Sequence, residues 1–153
     1  MVLSALRNWV SVLLSLPIIQ KLIRTKNLKP PHSSKGDTKT LLWLDDRLNP
    51  MDTRMDWLSF SPVGREVEVI WVKNFHEFQN WICNYGLPKG ICFDHDLGKD
   101  KPTGYDCAAW LIKYCTEHNK PLPLWSSQCA DPAAKAKIKK LLKSYSASTE
   151  IPA

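Results

Sequence analysis

The sequence predicts an α/β domain built on a mainly parallel sheet of about four strands, preceded by a helical leader. Three observations predict it. From Thr40 onward, short apolar runs alternate with amphipathic segments of ten to sixteen residues, the pattern of βα units. The runs Thr40–Leu44 and Gly90–Phe93 carry no charge and lack polar alternation, as expected of strands covered on both faces. The chain has 153 residues, 44% of them apolar and 24% charged, a mix that excludes global disorder and a multi-span membrane protein.

The elements follow in order. Thr40–Leu44 (TLLWL) is an apolar strand stopped by Asp45-Asp46. Arg47–Arg65 shows no helical stripe. Glu66–Val72 is a second strand, rich in β-branched residues. Asn74 then opens a helix with Glu77 three positions on as a capping box. Its predicted inner stripe is Phe75, Phe78, Ile82 and Tyr85, and Gly86 with Pro88 ends it. Gly90–Phe93 is a third strand that runs into Asp94-His95-Asp96. Thr103 and Asp106 form the next capping box, and that helix buries Cys107, Ala108, Leu111 and Cys115. Pro121–Trp125 is the fourth strand, followed by Ser126-Ser127-Gln128. Asp131-Pro132 starts a last helix with the stripe Ala134, Ile138, Leu141, Leu142 and Tyr145. Lys135, Lys137, Lys139, Lys140 and Lys143 read as a solvated face that complements the helix C-terminus, in preference to a nucleic-acid surface. The domain is expected over 40–145, with 146–153 as a tail.

Residues 1–29 differ. Leu3, Leu6, Val10, Leu13 and Leu14 recur at helical spacing, and Lys21, Arg24 and Lys26 follow Pro17. The uncharged stretch from Asn8 to Gln20 is shorter than the ~20 residues of a spanning helix. No small-residue cleavage site follows, so no secretory signal is expected. The leader reads either as an amphipathic helix that packs on the domain or a protein partner, or as an interfacial helix on a membrane surface. Residues 30–39, with their Pro, Gly and Ser cluster, read as a linker.

The net charge of +6 is confined to the first 39 residues, which hold seven Lys/Arg against Asp37 alone; the remainder carries fourteen charges of each sign. A basic footprint on the folded part is therefore not expected, and neither is sequence-specific DNA binding. Five cysteines without a C-x-x-C pair read as reduced, mostly buried thiols of a cytoplasmic protein, peripheral to a membrane if the leader binds one. Of the seven tryptophans, Trp43, Trp71, Trp81, Trp110 and Trp125 fall in predicted elements and read as core. Trp57, in the irregular stretch, is the candidate for stacking on a base.

The chemistry is carried by strand ends. In an open parallel sheet, ligands bind beyond the carboxyl ends of the strands. There this sequence places Asp45-Asp46, Asp94-His95-Asp96 and Ser126-Ser127-Gln128. Carboxylates that converge raise one another's pKa, and a divalent cation resolves the conflict. An all-oxygen set favours Mg²⁺ or Mn²⁺. Asp45, Asp46 and Asp94 are the candidate metal ligands; His95, Asp96 and Ser127 are the candidate catalytic residues. His95 is either a proton carrier or a structural hydrogen-bonder turned away from the metal, because successive strand residues face opposite sides. Ser127 either donates to a phosphate oxygen or caps the last helix.

The segments LLWLDDRLNP, GICFDHDLG, TGYDCAAWL and LWSSQ together resemble the cyclic-phosphate-processing receiver-like family, a divergent branch of the receiver domains of two-component signalling. The resemblance spans about Thr40 to Lys143. It implies a flavodoxin-like three-layer sandwich, a metal held by Asp45, Asp46 and Asp94, and a role in handling cyclic or terminal phosphates of nucleotides or RNA. The family's fourth strand ends in His-Ser with Asn-Pro soon after. Here Ser126 stands in place of the histidine, Ser127 keeps its position, and the Asn-Pro is missing. After the last helix too little chain remains for the lysine-bearing fifth strand of a signalling receiver, so aspartyl-phosphate switching is not expected. Two readings follow: a metal-dependent phosphoesterase, or a phosphate- or metal-binding or protein-interaction module with a degraded active site.

Overall fold

The computed structural model describes residues 39–149. The leader at 1–29, the linker up to residue 38 and the last four residues of the tail lie outside the described residues. The element order is β1 (Thr40–Leu44), a 3₁₀ turn (Trp57–Phe60), β2 (Glu68–Val72), α1 (Phe75–Tyr85), β3 (Gly90–Phe93), α2 (Gly104–Glu117), β4 (Leu124–Ser127) and α3 (Pro132–Thr149). The four strands form one parallel sheet in the order β2-β1-β3-β4. Strand order thus reverses at β1, whose two neighbours are β2 and β3, and a crevice opens beyond their carboxyl ends.

Handedness then assigns the layers. The β2-to-β3 and β3-to-β4 connections move the same way across the sheet, so right-handed crossovers put α1 and α2 on one face. The Phe78 and Phe93 rings meet there at 6.0 Å, and α3 packs beside α2 on that side. The β1-to-β2 connection runs the opposite way, so residues 45–67 cover the other face. That third layer is irregular apart from its 3₁₀ turn, as the absence of a helical stripe predicts. Met55, Trp57, Phe60 and Val63 pack there on Leu41, Trp43 and Cys92. β1 lies between the layers with Leu41 to Leu44 wholly buried, which is why it is apolar from Leu41 onward.

Several boundaries differ from the sequence expectation. β4 begins at Leu124 rather than Pro121, because Pro121 and Pro123 have no N–H to give to β3; Leu124 N makes the first ladder bond, to Lys89 O at 3.2 Å. β2 begins at Glu68, opposite Thr40, since Val67 N is turned back onto Arg65 O. In α1 the buried stripe is Phe78, Trp81 and Ile82, while Tyr85, on the last turn, is exposed. Asn74 caps that helix as expected, accepting from Glu77 N at 2.9 Å, but the Glu77 carboxylate takes Lys73 N instead of closing the box. α3 runs on to Thr149, and Ser144, Ser146 and Ser148 donate their hydroxyls to the carbonyls of Leu141, Leu142 and Tyr145. No basic residue then falls in its last turn, and the expected lysine–dipole pairing is lost.

All five cysteines are free thiols. Four are buried and Cys83 is exposed. Burial pushes the Cys92 and Cys115 thiols up to about 11, away from any reactive thiolate. No helix among the described residues is long and apolar enough to cross a membrane.

Candidate functional site

The first strand end is shaped by its own side chains. The Asp45 amide continues the ladder to Val72 O at 3.1 Å, and the chain then turns sharply. One carboxylate oxygen, Asp45 Oδ1, accepts the amides of Arg47 (2.9 Å) and Leu48 (2.7 Å), the geometry that makes Asp an initiator of turns. Two indoles hold the same loop from beneath: Trp43 Nε1 donates to Leu48 O at 2.9 Å and Trp71 Nε1 to Asp45 O at 2.7 Å. The tryptophans read as core are therefore also clamps on the acidic loop. Asp45 is only 1% exposed, and its other oxygen, Oδ2, is buried with no hydrogen-bond partner.

The second strand end brings Asp94 alongside. Asp94 N bonds to Leu44 O at 2.9 Å, extending the β1–β3 ladder past both strands, and Asp94 Oδ1 accepts the next amide, His95 N, at 2.8 Å. Asp45, Asp46 and Asp94 each present an oxygen, and these atoms lie within 4.8 Å of one another. Asp46 Oδ1 is also buried without a hydrogen bond, although the largely exposed Arg47 guanidinium approaches it to 3.5 Å. Burial, reinforced by the charges of Asp45 and Asp46, pushes the Asp94 carboxyl up to about 6; the hydrogen bond from His95 N and the nearby Arg47 pull the other way. A buried Asp45 oxygen without a partner, an Asp46 oxygen without a hydrogen bond and a carboxyl held well above its ordinary range suit a divalent cation with oxygen ligands.

The other candidate residues stand around this cluster. Asp96 is exposed; its Oδ1 accepts Gly98 N at 3.1 Å to form the turn after the triplet, and its Oδ2 is 3.8 Å from Arg47. It is not in the group of three. His95 is half-buried, its Nδ1 has no partner, and its ring lines a cleft against α2 and α3. Ser127 is buried, donates to Phe93 O at 2.9 Å and accepts Cys129 N at 3.3 Å, so its hydroxyl ties β4 to the strand that delivers Asp94. Ser127→Ala is expected to lower stability by about 1–2 kcal/mol, read as a lower denaturation midpoint at unchanged m. Ser126 belongs to β4 itself, and strand alternation turns it to the opposite face, where it hydrogen-bonds Phe60 O and lies 3.2 Å from Cys92 Sγ. Trp57 is half-buried and packs into the same layer.

Two residues central to the site carried no role in the sequence reading. Gln128 spans three strand ends: its amide donates to Phe93 O (3.2 Å) and its side-chain Nε2 to Leu44 O (3.0 Å), one residue before Asp45. Gly104 opens α2 with its amide on His95 O at 2.8 Å, so close that a Cβ there would meet Asp94 O at 1.6 Å. The available signal was a glycine directly after a capping threonine.

Over this fold and site, residues 40–144 match the family of cyclic-phosphate processing receiver domains. The chain belongs to that family. The match takes in all four strands, α1 and α2, and most of α3, so this receiver-like domain accounts for nearly everything described. No curated protein matches this cyclic-phosphate processing receiver domain. Among solved structures, a fusion carrying a trimeric coiled coil of yeast Spc42 is similar at 19% identity and a TM-score of 0.46. That similarity covers 69% of this chain and 63%, less than two-thirds, of the fusion.

Proposed function

We propose that this domain is a divalent-cation-dependent phosphoesterase acting on cyclic or terminal phosphates of nucleotides or RNA. The observation that carries the reading is the convergence of Asp45, Asp46 and Asp94, with two buried oxygens left without hydrogen-bond partners. An all-oxygen set of this charge suits Mg²⁺ or Mn²⁺. When bound, such an ion supplies polarisation of a phosphoryl oxygen and charge neutralisation.

The remaining work falls to the chain. Asp45 and Asp94 are held in register by the ladder bonds from Asp45 N to Val72 O and from Asp94 N to Leu44 O. Hydrolysis forms a P–O bond to water and breaks the P–O bond to the leaving oxygen, which takes up a proton. His95, adjacent to Asp94 and with an unpartnered ring nitrogen, is the residue proposed to move that proton. Asp96 fixes the turn that presents His95, and Ser127 positions the Asp94 loop. Full-length protein with Mn²⁺ is expected to open 2′,3′-cyclic nucleotides to monoesters, and Asp45→Asn to slow turnover by roughly a hundredfold or more. Equal turnover by Asp45→Asn would overturn the assignment.

A second reading has its own support. The Ser127 hydrogen is committed to Phe93 O and is not free for a phosphate oxygen, which favours a module that captures metal or phosphate without chemistry. Mn²⁺ binding with no turnover across a nucleotide panel selects this reading over the first.

A further inference from the structure

We propose that the cleft between His95 and α3 is a second phosphate subsite, so that the ligand is an oligonucleotide end with at least two phosphates rather than a lone mononucleotide. The inference rests on the carboxylate cluster being the site of the terminal phosphate, and it adds what lies beside it. The cleft has a volume of about 570 Å³, within the range of sites that hold small ligands. Its inner wall is His95, one residue from Asp94. The outer wall is α3, which presents Lys137, Lys140 and Ser144 at helical spacing, and Tyr105 on the first turn of α2 stands across from them.

Charge decides the occupant. No acidic side chain lines the cleft, and α3 contains no Asp or Glu. Lys137 and Lys140 form no ion pair with another described residue, whereas Lys113 on α2 has its Glu117. Thr103, also at the rim, spends its hydroxyl on Asp106 and offers nothing strong to a ligand. What remains is two free ammonium groups and a phenol. That set recognises a phosphodiester, with the Tyr105 ring available as a face for a base. Residues 1–39, with seven basic residues against one acidic, have the wrong sign to fill it. Lys139 and Lys143 lie on the same helix but do not line the cleft, which supplies a control of equal charge.

The test uses the full chain and an RNA trinucleotide ending in a 3′-phosphorothioate, which resists hydrolysis, against the matching mononucleotide, both with Mn²⁺. Calorimetry with Mn²⁺ alone reads the carboxylate cluster separately. The trinucleotide is expected to bind roughly tenfold or more tightly than the mononucleotide. Lys137→Ala/Lys140→Ala removes most of that advantage and lowers the salt slope by about 0.7 per lost phosphate contact, while Lys139→Ala/Lys143→Ala keeps it. Equal losses in the two double variants, or no preference for the trinucleotide, overturn the subsite even when Mn²⁺ binds. A preference that depends on Lys137 and Lys140 in a chain that does not bind Mn²⁺ upholds the cleft and removes the metal instead.

Discussion

Gly104→Ala is expected to destabilise the domain by about 3 kcal/mol or more and to weaken cation binding with it. The cause is space alone. A Cβ at position 104 would sit 1.6 Å from Asp94 O, 2.7 Å from Asp94 C and 3.1 Å from His95 Cα, all backbone atoms with no rotamer to give way. The helix start and the acidic loop must therefore part by more than an ångström. That breaks the Gly104 N to His95 O bond and shifts the peptide that carries Asp94. Gly64→Ala is the control for backbone conformation: its φ is +79°, nothing lies within 4 Å of its Cβ, and its expected cost is only about 1 kcal/mol. Urea unfolding of both variants separates the two effects, and Mn²⁺ titration of the folded Gly104→Ala fraction reads the displaced Asp94. A Gly104→Ala midpoint no lower than that of Gly64→Ala would show that the close approach does not govern the site.

What the sequence disclosed, and what it hid, divides along a physical line. β1 and β3 were legible to the residue because a strand buried on both faces must be apolar throughout and stop at the first charge, as at Asp45 and Asp94. The α2 stripe of Cys107, Ala108, Leu111 and Cys115 was legible because helical periodicity fixes one face. The carboxylate cluster followed from parallel strand order, since neighbouring strands that run the same way must end together. Contacts made across the fold stayed hidden. Nothing local to Trp43 or Trp71 announces that their indoles hold the carbonyls of the acidic loop, and nothing in Gln128 announces a reach to Leu44. β4 was displaced because apolar content spoke for Pro121–Trp125 while hydrogen bonding, blind to hydropathy, excluded the prolines. The separate fates of Ser126 and Ser127 depended on that same shift, since alternation from Leu124 sends one to each face.

The acidic cluster is expected to make stability fall with rising pH when no cation is present, and to reverse that trend when one is. The Asp94 carboxyl lies at about 6 in the folded chain against an ordinary value of 3.8, chiefly because it is buried and then because Asp45 and Asp46 stand beside it. Between those two values the folded state holds a proton that the unfolded state has released. The fold is then favoured most at the acid end and loses that contribution as pH rises through about 6. Asp94→Asn removes the charge, so it is expected to flatten this slope and to raise the melting temperature at pH 7.5 in a chelator. A divalent cation binds the ionised form alone and turns the same carboxylates into a source of stability. At a hundred times its dissociation constant it contributes about 2.7 kcal/mol, or roughly 10 °C for a domain of this size. Asp45→Asn and Asp94→Asn should both lose that increment, and the wild-type increment should shrink below pH 6 as protons compete for Asp94. Melting curves across pH 4.5 to 8, with and without Mn²⁺, on the three proteins carry the test. An Mn²⁺ shift that survives both substitutions would place the ion elsewhere, and an Asp94→Asn protein less stable than wild type in chelator would mean that the native carboxylates are not in conflict at all.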